Sequence, residues 1–491
     1  MLSFDLSKQE PEKTAAYRLG HAYCVKFAVI PVKLEEDVLY IAMKEPSDFS
    51  AIKNIEDLTG LFVIPMQATG HDVRFFANKL FGEKTMSGIE SQFLVSERLK
   101  DSKNSNDTLS QISSVPAVRF IDSLIEQAVV ARASDIHIEP LEHKLRARYR
   151  VDGILQCFAN IDISVLPNAI GRIKVMAGLD ISEKRLPQEG HFTLQVLSEN
   201  IEFRISTLPT VLGEKVAIRL LYDHANMLKK QDLGFFDDDL FVLNEVFNRP
   251  YGAVFITGPT GSGKSTTMSS FLSELNSIEQ NIITIEDPVE NPLPGISHIN
   301  IKETPGMTFA SALKFILRQD PDIIMIGEIR DEETARIATQ AALTGHVVLS
   351  TIHTNDAAGV IERLMDMNIE PYLIAAVLNG VISQRLVRRI CENCKTKINI
   401  NDRQQIILGI DSDVFIGKGC SNCFNTGYKG RFVVYEYIIL DKEQRQDIAH
   451  NPTQYAKIMR SKKMLYKNII KRVLRGDTSA EEAIRILGSE V

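Results

Sequence analysis

Gly258-Pro259-Thr260-Gly261-Ser262-Gly263-Lys264-Ser265 fills every fixed position of G-x-x-x-x-G-K-[ST], the phosphate-binding loop. Its flanks give the match a context. Ala253 to Thr257 is short, apolar and β-prone, and Thr266 to Leu275 carries its apolar residues at helical spacing. In a strand–loop–helix cradle of this kind, backbone N–H groups converge on phosphate oxygens and the positive helix end adds to their pull. Lys264 is placed to neutralise β/γ-phosphate charge, and Ser265 to offer a hydroxyl to Mg2+. Gly258 through Thr266 form the candidate cofactor-binding set, and a nucleoside triphosphate, ATP, is the expected ligand. A chance glycine loop on a sheet edge would lack these flanks.

The rest of the chain bounds what surrounds this loop. Its 491 residues exceed one core, and domain-size statistics give roughly three domains. No apolar stretch approaches the roughly eighteen residues needed to span a bilayer. The first residues lack a basic segment followed by an apolar one, so no export signal is expected. A net charge of −7 argues against a general nucleic-acid coat. Four of the six cysteines form two C-x-x-C pairs, a usage that suits metal binding in a reducing cytoplasm. The expected location is therefore cytoplasmic, with the membrane reached by docking.

Residues 1–93 read as a small α/β unit. Phe27 to Val32 and Val38 to Met43 flank Glu35-Glu36-Asp37 as a hairpin, and a helix runs from Ser47 or Asp48 to Gly60. Residues 94–114 are polar, charged and poor in aromatics, and read as a flexible linker. A second α/β domain spans 115–228, with a helix from Ala117 to Ala131 and alternating strands at Asp135–Glu139 and Leu145–Val151. From 229 to 491 apolar strands alternate with helices, which calls for a mostly parallel sheet covered on both faces. Within it, 388–431 holds the cysteines and 440–491 is helical; Thr478-Ser-Ala-Glu481 has a capping-box pattern.

Cleaving a triphosphate takes more than binding it. Pro321 to Glu328 is a buried-strand run ending in a carboxylate that could hold Mg2+, directly or through its water shell; Gly327 stands where an Asp often sits. Ile282 to Glu286 is a second apolar strand opening into Asp287 and Glu290. Either Glu286 or Glu290 could orient the attacking water. His346 and His353 bracket a third apolar strand, where a neutral imidazole can reach a γ-phosphate; either alone reads as structural. Arg204 and Arg219 project from strands of the second domain. Taken alone, each reads as a solvated or ion-paired strand residue. An arginine supplied to the γ-phosphate from another domain or subunit, by contrast, raises turnover about 10³- to 10⁵-fold.

The blocks Gly258–Ser265, Glu286-Asp-Pro-Val-Glu290, Arg318-Gln-Asp-Pro-Asp…Gly-Glu-Ile-Arg-Asp331 and Thr344-Gly-His…Thr-Ile-His-Thr-Asn355 together resemble the secretion ATPase superfamily. Among its members the likeness is to type II secretion and type IV pilus assembly ATPases. Ser134 to Pro140 and Arg148 to Gly153 match that family's second N-terminal domain, so the similarity runs over roughly 115–491. The resemblance implies a RecA-like P-loop domain preceded by a PAS-like one and a small N-terminal α/β domain. It makes Glu290 and Glu328 the leading catalytic carboxylates, brings His346 and His353 into the site, and brings Arg204 and Arg219 towards the phosphates. It further implies a homo-hexamer with ATP at the seam between the two large domains, acting as a Mg2+-dependent hydrolase that drives assembly of pilin-like subunits.

Cys391, Cys394, Cys420 and Cys423 give four thiolates in the spacing of a structural Zn2+ site, with no open position for chemistry. Relatives that extend or secrete often carry such an insertion, and retraction ATPases lack it. Arg18-Leu-Gly-His-Ala resembles the start of a cyclic-dinucleotide-binding motif, but no helical repeat surrounds it and that ligand is not expected. Docking of residues 1–93 on an inner-membrane platform protein is. Two other classes stay open: a nucleotide-sensing scaffold without turnover, and a nucleic-acid translocase, although stable nucleic-acid binding is not expected of so acidic a chain.

Overall fold

The computed structural model describes residues 27–68, 106–196, 199–222, 229–301 and 306–488, with a few isolated positions before residue 27 and Val73. Contacts divide the chain into two compact units, Met1–Asp223 with Lys418–Lys429, and His224–Gly417 with Gly430–Val491. Among the described residues no helix is long and apolar enough to cross a membrane.

In the first unit, β1 (Val29–Glu35) and β2 (Val38–Met43) form the expected hairpin, with Glu36 at φ 49° in its turn. The helix α1 (Phe49–Thr59) starts where Asp48 accepts the Ala51 N–H at 3.0 Å and stops at Gly60, φ 70°. The strand β3 (Phe62–Gln67) then pairs parallel with β2. Most of the Arg18-Leu-Gly-His-Ala motif, and residues 94–105 of the expected linker, lie outside the described residues. The remainder of that linker is helical, because α2 (Asn106–Val130) begins eleven residues before Ala117. Leu109 and Ile112 stand at a helical spacing that the polar composition hid.

A six-stranded antiparallel sheet follows, in order β6-β5-β4-β9-β8-β7. Its strands are β4 (Asp135–Pro140), β5 (Lys144–Val151), β6 (Ile154–Asp162), β7 (Gln188–Val196), β8 (Glu199–Thr210) and β9 (Gly213–Tyr222), with α3 (Leu166–Met176) between β6 and β7. Period-2 alternation sends Ile136, Ile138, Phe203 and Ile218 into a core with Phe120 and Leu124 of α2 and Ile170 of α3. The other face is charged. Register aligns Arg150, Asp135, Arg219, Arg204 and His191 in one row across five strands.

The second unit is built on a seven-stranded sheet, order β12-β11-β13-β14-β10-β15-β18. Its strands are β10 (Gly252–Thr257), β11 (Ile282–Glu286), β12 (Ser297–Asn300), β13 (Ile323–Ile326), β14 (Val347–Ile352), β15 (Leu378–Ile390) and β18 (Tyr428–Ile439), while β16 (Lys395–Ile398) and β17 (Val414–Gly417) pair separately. From β12 to β15 all five pairings are parallel. Helices α4 (Asp237–Phe247) and α5 (Lys264–Leu275) cover one face. The other is covered by α6 (Phe309–Ile316), α7 (Glu332–Leu343), α8 (Gly359–Asp366) and α9 (Pro371–Val377). Alternate residues of one strand therefore serve two cores: Ala253 and Phe255 face one, Val254 and Ile256 the other. That is why these strands read as unbroken apolar runs.

After α10 (Asp402–Leu408) the chain closes with α11 (Lys442–His450), α12 (Pro452–Ser461), α13 (Met464–Arg475) and α14 (Ala480–Leu487). The last helix is capped by Ser479, which accepts the Glu482 N–H at 3.1 Å, one residue later than the capping pattern suggested. Thr478 instead donates its hydroxyl to the Arg388 carbonyl at 2.8 Å.

Candidate nucleotide site and cysteine cluster

In a parallel sheet, ligand sites form at the carboxyl ends of the strands. Here β10 ends at Thr257, and the glycine loop turns the chain into α5, whose first residue is Lys264. Gly258, Gly261 and Gly263 have φ of 142°, 76° and 87°. A Cβ on Gly258 would stand 2.3 Å from the Gln384 carbonyl oxygen. Gln384, fully buried on β15, also donates its side-chain amide to the Ser262 carbonyl at 2.9 Å, so the loop is seated on the neighbouring strand. Lys264 arches back, donating Nζ to the carbonyls of Gly258 at 2.9 Å and Pro259 at 3.1 Å. Burial lowers its pKa, and the nearby Glu328 carboxylate opposes that shift. Ser265 and Thr266 are exposed on the first turn.

Two strands away, β13 runs out into Glu328. Its carboxylate is ion-paired to Arg330 and lies 3.7 Å from His353 Nε2, just beyond the end of β14. Burial first, then the Lys264 charge, pushes the His353 pKa down, so its imidazole is neutral at pH 7. Thr354 locks this end of β14 to β10: its N–H donates to Thr257 Oγ1 at 2.9 Å, and Thr257 Oγ1 donates to the Thr354 carbonyl at 3.0 Å. Arg385, beside Gln384, donates to the Asn355 carbonyl. Lys264, Glu328, Arg330 and His353 are thus gathered at one end of adjacent strands: a cation, a carboxylate and a neutral donor around a phosphate-sized loop.

The other sequence candidates fall elsewhere. Glu286 ends β11, three strands from β10 and so about 14 Å across the sheet at the usual strand spacing. Its Oε1 accepts the Thr284 hydroxyl at 2.7 Å and lies 3.1 Å from His298 Nδ1. Glu290 is exposed on the loop that follows, past the cis Asp287–Pro288 bond. His346 does not join His353. It precedes β14, so a strand length of about 20 Å separates them. Its Nδ1 stands 3.0 Å from the Ala341 carbonyl oxygen, beneath the opposite edge of the sheet. This corrects the expectation that both histidines share one place. A histidine at each strand end looks symmetric in sequence, but strand direction separates them.

In the first unit, Arg204 and Arg219 are direct cross-strand neighbours on β8 and β9. Arg204 pairs with Glu202 at 3.1 Å and Arg219 with Asp135 at 3.2 Å, with side chains 47% and 68% exposed. Like charges directly opposite one another are unfavourable, and an anion laid across both would relieve that.

The four sulfurs of Cys391, Cys394, Cys420 and Cys423 all lie within 4.8 Å of one another. Cys420 Sγ and Cys423 Sγ are 3.7 Å apart, and four bonds of about 2.3 Å around one Zn2+ call for S–S separations near 3.8 Å. Cys423 Sγ also accepts N–H groups from Cys420 at 3.2 Å and Gly427 at 3.3 Å. The donor set fits zinc. Cys24 is buried and Cys157 exposed, and neither joins the cluster.

Residues 110–485 match the family model described as Type II/IV secretion system protein, and residues 2–86 match an MshEN domain. The second match extends the N-terminal likeness well beyond the pentapeptide at Arg18. A type IV pilus assembly ATPase PilB from Thermus thermophilus is 39% identical over 98% of this chain, which spans only 55% of that relative. A type II secretion system protein E from Pseudomonas aeruginosa is 37% identical over 96% of this chain and 97% of its own length. Among solved structures, the pilus retraction motor PilT with bound ADP is 26% identical, with a TM-score of 0.51 over 74% of this chain and 95% of its own. The Legionella pneumophila ATPase DotB, 22% identical, reaches a TM-score of 0.57 over 75% and 95%, a likeness of fold.

Proposed function

The chain belongs to the type II/IV secretion system protein family, and on that premise we propose that it is a hexameric motor hydrolysing Mg-ATP to ADP and phosphate. Its work is the assembly of type IV pilus or type II secretion pseudopilus subunits. One observation carries the reading: Lys264, Glu328 and His353 meet around the glycine loop at the carboxyl edge of the parallel sheet.

On this reading, Lys264 leaves the carbonyls of Gly258 and Pro259 for the β/γ-phosphates. Ser265 and Glu328 would hold Mg2+, whose charge would offset that of the phosphates. Glu328 is ion-paired to Arg330 and would have to leave it to serve as a ligand. Glu290 orients the attacking water, while neutral His353 offers a hydrogen bond to the γ-phosphate. Arg204 and Arg219, on the PAS-like sheet, complete the charge around the transferred group, and losing the phosphate loosens that grip. Zn2+ held by Cys391, Cys394, Cys420 and Cys423 would be fully coordinated by protein and would serve as a structural staple. That insertion also favours assembly over retraction. Residues 1–93 would dock the ring on a membrane platform at the inner face of the cytoplasmic membrane.

Glu290→Gln tests the chemistry. It should bind a fluorescent ATP analogue as the parent does while releasing phosphate at least about 10²-fold more slowly. Unchanged release would remove Glu290 from the reaction, and lost binding would show a misassigned role.

A further inference from the structure

His298 sits on β12, the strand at the edge of the sheet, in register with Thr284 on β11. Its side chain is 11% exposed and that of Glu286 15%. Nε2 accepts the Leu293 N–H at 2.9 Å. An amide N–H can only donate, so Nε2 is the unprotonated nitrogen and Nδ1 carries the hydrogen. Nδ1 faces two oxygens, Thr284 Oγ1 at 2.8 Å and Glu286 Oε1 at 3.1 Å, and the Thr284 hydroxyl donates its own hydrogen bond to Glu286. One neutral ring therefore grips both ends of the segment that contains Glu290: its start at Glu286 and its return at Leu293. A further anchor, Asn276 Nδ2 donating to the Pro294 carbonyl at 2.7 Å, lies beyond that return.

We propose that His298 is a positioning residue for phosphoryl transfer, setting the Asp287–Leu293 loop so that Glu290 stands at a fixed height over the strand ends. Nothing at that position in the sequence announces it, because its partners lie 12 and 5 residues away on another strand and a loop. It does not touch the phosphate loop, which is built on β10 three strands from β11. Its loss should therefore act on kcat and leave nucleotide affinity alone.

The turnover part of the test rests on the ATPase reading; the second readout does not. His298→Leu should lower kcat by about tenfold or more, with KM for ATP within about twofold. His298→Gln, which has one acceptor and one amide donor at similar reach, should recover most of the loss. Independently, hydrogen exchange at residues 287–293 should quicken in His298→Leu and not in His298→Gln. If His298→Leu fails to fold, His298→Asn, too short to reach both partners, replaces it. Unchanged exchange, or equal loss in the Leu and Gln variants, overturns the proposal. A parent without turnover sinks the motor reading, while exchange still decides the role of His298.

Discussion

Gly258 and Lys264 show how closely the phosphate loop is fitted to its neighbours. A methyl on Gly258 would collide with the Gln384 carbonyl, whereas one on Gly261 meets nothing within 4 Å. Gly258→Ala should therefore weaken nucleotide binding by roughly tenfold more than Gly261→Ala, measured by titration with a fluorescent analogue. Equal effects would mean that backbone angle, not seating on β15, sets the loop. The loop and its Lys264 were legible because a local pattern with the right flanks specifies them. Gln384 was not: its contact with Ser262 spans 122 residues, and a buried glutamine in a strand has no motif. His298 was missed for the same reason.

Between elements, Glu482 clamps α14 to β15. Buried completely, it takes the Arg388 N–H at 3.0 Å and Arg388 Nη2 at 2.8 Å, with Arg485 Nη2 at 2.7 Å. Burial alone would raise its pKa, but hydrogen bonds from Arg485 and Arg388 outweigh it and bring it down to about 2. A carboxylate lowered in the fold contributes its stabilisation above its unfolded pKa and loses it as pH falls towards the folded value. Glu482→Gln should thus be less stable than the parent by about 3 kcal/mol at pH 7, and the gap should narrow as pH drops from 4.5 towards 2. Thermal denaturation across that range checks this, and a pH-independent gap would contradict it. The cysteine cluster makes a second case. Cys423→Ser should lose bound zinc and lower the melting temperature, while full zinc content in that variant would exclude Cys423 as a ligand. Strands of the parallel sheet could be read from sequence because burial on both faces leaves them uniformly apolar. The early start of α2 could not, since Ser, Asn and Asp mark loops and helix starts alike.

Across the whole molecule, the motor reading needs the first unit's arginines at the phosphates. Arg204→Ala/Arg219→Ala should retain nucleotide binding and lose turnover about 10³-fold; full turnover would return both to ordinary strand-surface residues. Paired guanidiniums on one face were visible only once the register of β8 and β9 was known. Family blocks spread over most of the chain made its class legible, since each block holds a strand end fixed by chemistry. The account stands or falls on phosphate release from Mg-ATP by the whole chain, run beside Lys264→Ala matched for zinc content. Steady release by the parent and background release by the variant is the expected result; equal rates in the two, or none in either, would contradict it.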